Sequence, residues 1–108
     1  MTKVQIDSGI CGMVTTVTAH SEDGETVRVA AESSCPAVKK MLEDLGEEFD
    51  MLDVCMIKPG AGPFYEYAAG RFPGHPGCPV CAGIAKCVEA ECGMALKKDV
   101  SIRFLSEG

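Results

Sequence analysis

The chain has no run of apolar residues approaching the ~20 that a membrane-spanning helix requires. Its start, "MTKVQIDSGICG", also lacks the charged region followed by an apolar stretch that marks a secretory signal. On both counts a cytoplasmic protein is expected. Basic residues are scarce: 10 Lys and Arg stand against 16 Asp and Glu, for a net charge of −6. With no basic stripe to offer a phosphate backbone, nucleic acid is excluded as a partner class, as membrane is by the missing spans. Linkers, low-complexity tracts and charge blocks are missing too, so residues 1–108 read as a single domain around one core. There is no P-loop. "KPGAGP" at residues 58–63 has the glycines but lacks the Lys-Ser/Thr that must follow, and its prolines make a rigid turn instead.

What is present in excess is cysteine, seven in 108 residues. In a reducing cytosol, clustered cysteines are more often metal ligands or reactive thiols than structural disulfides, and an odd count cannot pair internally. Six methionines and only two histidines suit a thiol-rich interior in an oxygen-poor setting.

The pattern of apolar residues sets the frame for these thiols. Residues 3–9 alternate Val4 and Ile6 with polar neighbours and read as a strand. Residues 13–20 and 25–33 are rich in β-branched side chains and flank "SEDG", which reads as a hairpin turn. "CPAVKKMLEDLG" is a helix: Pro36 suits the first position, Gly46 the C-terminal cap, and Val38, Met41, Leu42 and Leu45 form one apolar stripe. "EEFDMLDVCMIKPG" fits a helical face through Phe49, Leu52 and Met56, or a short strand over residues 54–57. A short helix lies between Pro63 and Gly70, and "RFPGHPG" is a loop. A long helix is expected from Pro79 to about Leu96. After it, Val100, Ile102 and Phe104 alternate with Ser101 and Arg103 as a last strand. The fold class is α+β: a two-layer sandwich with a four-stranded, mainly antiparallel sheet and two main helices on one face, β-β-β-α-α-β with a short helix between.

Both main helices begin with Cys-Pro, in "SSCPAVKKM" and "PGCPVCAGI", which puts Cys35 and Cys78 at the N-cap. Unpaired N–H groups and the positive helix end stabilise a thiolate there, making a better metal ligand or nucleophile. The plainer reading is that Cys replaces the usual N-cap Ser. Cys81 follows Cys78 by three residues, a Cys-x-x-Cys spacing that lets two sulfurs bind one metal or form a redox disulfide. His75 could add an imidazole, or be a loop residue positioned by its flanking prolines. At ~1.5 Å rise per residue, Cys87 and Cys92 lie ~9 and ~16 Å along the helix from Cys81, too far to share a mononuclear site. Cys92 falls on the apolar face with Ile84 and Val88 and reads as core, with Cys87 at the edge of that stripe. Cys11 lies in a glycine-flanked turn, and the topology allows Cys11, Cys35, Cys78 and Cys81 to converge; Cys55 is left open. Phe64, Tyr65, Tyr67 and Phe72 form an aromatic patch near this loop and read as core, and the carboxylates of "EDLGEEFD" as a solvated surface.

The segment "VRVAAESSCPAVKKMLEDLG" resembles the strand-to-helix turn of NifU C-terminal-type iron–sulfur scaffold domains, and that of a small Cys-rich domain in some ribonucleotide reductase-like chains. The whole chain is similar to a family of short uncharacterised proteins from anaerobic archaea and bacteria, in which "SGICG", "S-x-CP" and "CPV" elements recur; these map onto Cys11, Cys35 and Cys78. The resemblance implies a cluster-scaffold role by analogy and carries no assigned activity.

Three functions follow from these residues. The first is a binding protein for an iron–sulfur cluster, zinc or iron, held by Cys11, Cys35 and Cys78 with Cys81 or His75, and acting as an accessory or carrier for a partner enzyme. A single Cys-x-x-Cys plus dispersed thiols favours the cluster over paired-knuckle zinc. The second is a thiol redox protein in which Cys78 attacks and Cys81 resolves. The third is a structural or regulatory domain in which the thiols only pack. Whether one chain or a homodimer supplies the site is left open.

Overall fold

Alternation of β-branched and polar residues builds the first half of the molecule. In the computed structural model, which describes residues 1–106, strands β1 (Thr2–Asp7), β2 (Val14–His20) and β3 (Thr26–Ser33) form an antiparallel meander. Val4 pairs with Val17 and Val17 with Ala31, while Ala19 sits opposite Val29. One face therefore carries Ile6, Val17, Ala19, Val27 and Val29, all buried, and the other carries polar groups. An antiparallel sheet with one wet face has this signature.

A fourth strand, β4 (Glu48–Asp50), pairs antiparallel with β3 and completes the order β1-β2-β3-β4. The expected four-stranded antiparallel sheet is present, but its fourth member is not the C-terminal segment. Residues 96–106 form no strand and are exposed throughout. Alternation made that segment competent for a sheet without supplying it an edge. The ambiguous stretch around Phe49 resolves into β4 followed by a single turn of helix, α2 (Met51–Val54), which Asp50 caps by accepting from the Leu52 N–H at 3.0 Å.

Helix α1 (Pro36–Leu45) starts after Cys35 and ends at Gly46, as expected, and buries Val38 and Met41. α3 (Pro63–Arg71) buries Phe64, whose ring lies 4.8 Å from that of Phe49. α4 spans Val80–Glu91, so it begins one residue later and ends earlier than expected. Its N-cap is Pro79, and Cys78 lies just outside the helix. The buried stripe of α4 is Val80, Cys81, Ile84, Cys87 and Val88. Cys87 is thus more deeply buried than Cys92, which packs partly buried against the same core: Cys87 is fully buried, as Cys81 nearly is, and donates to the Thr2 and Val17 carbonyls at 3.4 and 3.7 Å. Cys92 caps the helix end, half-buried.

Gly83 sets this rotation. A Cβ there would run into Ile6, with Ile6 Cγ1 only 2.6 Å away, so glycine is what lets α4 lie directly on β1. At the far end of α4, Glu91 ties the helix to the sheet. It accepts from the Thr2 hydroxyl at 2.7 Å and the Ser21 N–H at 2.9 Å, and lies 3.3 Å from the amino terminus. Among the described residues no helix is long and apolar enough to cross a membrane.

Candidate thiol site at one end of the sheet

The strand register places the thiols. Asp7 pairs with Val14 and Thr15 with Ser33, and the Ser34 N–H reaches the Val14 carbonyl at 3.1 Å. One end of the sheet therefore carries the β1–β2 turn, which holds Cys11, and the exit of β3, which leads into Cys35. Because Gly83 packs on Ile6 and Glu91 on Thr2, α4 runs antiparallel to β1, and its N-terminus lies at that same end. Cys78 and Cys81 are there as well. Four of the seven thiols share an end of the molecule.

Their settings differ. Cys11 is exposed in a turn closed by the Gly12 N–H on the Gly9 carbonyl at 2.9 Å. Cys35 is half-buried at the N-cap of α1, yet its sulfur makes no capping bond; its own N–H donates to Ser33 Oγ at 3.1 Å. The plainer reading, in which Cys35 stands in for an N-cap Ser, is not supported by a capping bond. Cys78 is half-buried ahead of α4, and its N–H turns back to the His75 carbonyl at 3.4 Å. Cys81 is buried and donates to the Phe64 carbonyl at 3.6 Å. Burial, and secondarily the charge of Cys78, push its thiol up to about 11. His75 stands exposed in the loop. No three His, Cys, Asp or Glu side chains among the described residues are close enough to enclose a metal ion.

Of the surrounding groups, Phe64 is core, as expected, and Tyr65, Tyr67 and Phe72 are half-buried against it. The carboxylates after α1 are a solvated surface, Glu47 and Glu48 pairing with Arg28 at 3.0 and 3.3 Å.

A second thiol neighbourhood escaped sequence reasoning. Cys55, at the end of α2, has its thiol pushed up to about 11 by burial first, then by the charges of Glu89 and Cys92. These three groups come from two helices far apart in the chain, and no local spacing signals their approach. An open groove of about 580 Å³ lies between β4, α2 and the start of α3, with Phe49, Ile57, Asp53 and Glu66 among its lining residues.

The fold and the thiol-bearing end define a small α+β protein with a two-layer architecture and dispersed free cysteines. The chain belongs to a family of unknown function, DUF6951, whose model matches residues 2–104. No curated protein and no solved structure matches it.

Proposed function

We propose that this protein holds an iron–sulfur cluster or a transition-metal ion, zinc or iron, at the thiol-bearing end of its sheet. In this role it is an accessory or carrier for a partner enzyme. The observation that supports the reading is the shared placement of Cys11, Cys35 and Cys78, three free thiols, on a turn, at the N-cap of α1 and just ahead of α4. Cys35 and Cys78 are the anchors: Cys35 is the N-cap of α1 and Cys78 lies just ahead of α4, each half-buried beside a helix start. Cys11 closes the set from its exposed turn. Cys81 or His75 completes it. For Cys81 this means giving up the Phe64 carbonyl and a firmly held proton, an exchange that a bound cation favours.

Two thiolates on one tetrahedral zinc lie only about 3.8 Å apart, given Zn–S bonds near 2.3 Å. A cluster distributes its thiolates over several metal atoms and accepts a wider set. Ligands drawn from the separate starts of α1 and α4 suit the wider set, which favours an iron–sulfur cluster. The scaffold analogy adds only the strand, Cys-Pro and helix around Cys35.

Anaerobic reconstitution with ferrous iron and sulfide, or with zinc, tests the reading. Cys35→Ser and Cys78→Ser should each abolish stoichiometric binding, while Cys92→Ser, at the other end of α4, should retain it. Equal binding in all three variants overturns the assignment.

One observation favours a second reading, thiol redox chemistry at Cys78 and Cys81. The first thiol is accessible and the second is buried with a raised pKa, as an attacking and resolving pair requires. Trapping of a mixed disulfide on Cys78 in a Cys81→Ser variant tests it; no adduct with disulfide substrates rejects it.

A further inference from the structure

Beyond α4 the chain leaves the body of the molecule with its apolar side chains in solvent. Val100, Ile102, Phe104 and Leu105 are 69%, 87%, 101% and 86% exposed, and Met94 and Leu96 precede them. Single exposed apolar residues are ordinary, but six within twelve form a patch that marks an interaction site. In an extended chain Val100, Ile102 and Phe104 would share one side and Ser101 and Arg103 the other, the pattern of a strand with one buried face. What this strand lacks is a partner.

The sheet has two edges. β4 is three residues long and carries Glu48 and Asp50, a short charged edge of the kind that discourages pairing. β1 is six residues long, pairs regularly with β2, and among the described residues has no strand on its outer side. It alternates in the same way: Thr2 and Ile6 are buried and Val4 half-buried, while Lys3, Gln5 and Asp7 face solvent. Laid parallel, residues 98–103 beside residues 2–7 bring Val100 to Val4 and Ile102 to Ile6. The same register sets Asp99 against Lys3 and Arg103 against Asp7. The antiparallel alternative centred on Ser101 and Gln5 opposes Asp99 to Asp7 and Arg103 to Lys3. Charge therefore selects the parallel arrangement.

We propose that the C-terminal arm of one copy adds as a fifth strand, parallel to β1, on the sheet of a second copy, and that the exchange is reciprocal. The arm projects from its own body, in a molecule measuring 49 Å by 29 Å by 25 Å. Lys97, Lys98 and Arg103 outnumber Asp99 and Glu107 in residues 97–108, so the arm is drawn to the acidic remainder of another copy. Two exchanged arms bring eight large apolar side chains and two strand edges into the interface. That is on the order of the 1,200 Å² a specific dimer needs. The proposal does not depend on the thiol site.

The test is the mass of the full chain by analytical ultracentrifugation across micromolar concentrations. A dimer is expected, and I102D/F104D, altered only in side chains exposed in the single chain, should be a monomer whose far-ultraviolet spectrum differs only by the loss of the arm's strand signal. Lys3→Glu should weaken the dimer about tenfold, and adding Asp99→Lys should restore it. A full chain that is monomeric overturns the exchange. If hydrogen exchange then shows residues 100–104 protected, the arm pairs with its own β1 instead. A dimer that persists in I102D/F104D, or a charge swap that fails to restore Lys3→Glu, overturns the assigned arm or register.

Discussion

Glu91 is the joint through which the end of α4 holds the start of β1 and the end of β2. Its carboxylate is depressed from 4.5 to about 2, first by the Ser21 backbone N–H, then by the Thr2 hydroxyl and the amino terminus; partial burial opposes them. A depression of that size corresponds to roughly 3 kcal/mol, and about 2 kcal/mol is expected once solvent screening beside the exposed amino terminus is allowed for. Because the folded value lies below the unfolded one, this stability is fully present above pH 4.5 and is lost as pH falls towards 2. Glu91→Gln keeps the shape and removes the charge. It should cost about 2 kcal/mol at pH 7 in urea unfolding followed by circular dichroism. The gap from the parent should narrow by more than half by pH 3, where the unfolded parent already carries the proton. A gap that is constant from pH 7 to pH 3 would refute the electrostatic role. Glu91→Ala should cost more at neutral pH, because the buried Thr2 hydroxyl then loses its acceptor.

Other consequences of the packing are open to simple measurements. Gly83→Ala drives a methyl group into Ile6 and should lower stability by about 1–3 kcal/mol in a denaturant titration; a neutral result would mean α4 does not rest on β1 as described. Cys87→Ser exchanges a fully buried sulfur for a smaller, more strongly hydrated hydroxyl and should destabilise by about 1–3 kcal/mol even with the Thr2 and Val17 carbonyls as acceptors, without changing metal binding, which separates this thiol from the sheet-end set. With Cys55 and Cys81 both held as thiols to about 11, iodoacetamide at pH 8 should label Cys11 much faster than either in peptide mapping. Equal rates would contradict their burial.

The elements legible from residue pattern alone are those whose local signals agree with their tertiary setting. The β2–β3 hairpin and α1, with Cys35-Pro36 at one end and Gly46 at the other, are of this kind. β4 was hidden because three residues carry too little periodicity to separate from the adjoining turn of helix. The C-terminal arm misled for the opposite reason. Its alternation is strong, but a strand is defined by its neighbour, and no edge within its own chain is used. Helix α4 shows a third limit. A wheel ranks Cys92 above Cys87, whereas the helix is rotated by the contact of Gly83 with Ile6, residues 77 positions apart. The candidate site was legible in its components, Cys-Pro starts and a glycine-flanked Cys11. Their common location needed the register of β1, β2 and β3.

The most direct measurement is the iron, zinc and acid-labile sulfide content per chain of protein purified without oxygen. A cluster held at the thiol-bearing end predicts iron with matching sulfide, lost on substitution of Cys35 or Cys78 and unaffected at Cys92. Metal well below one per chain, even after reconstitution, would contradict a ligand role and leave these cysteines as packing groups.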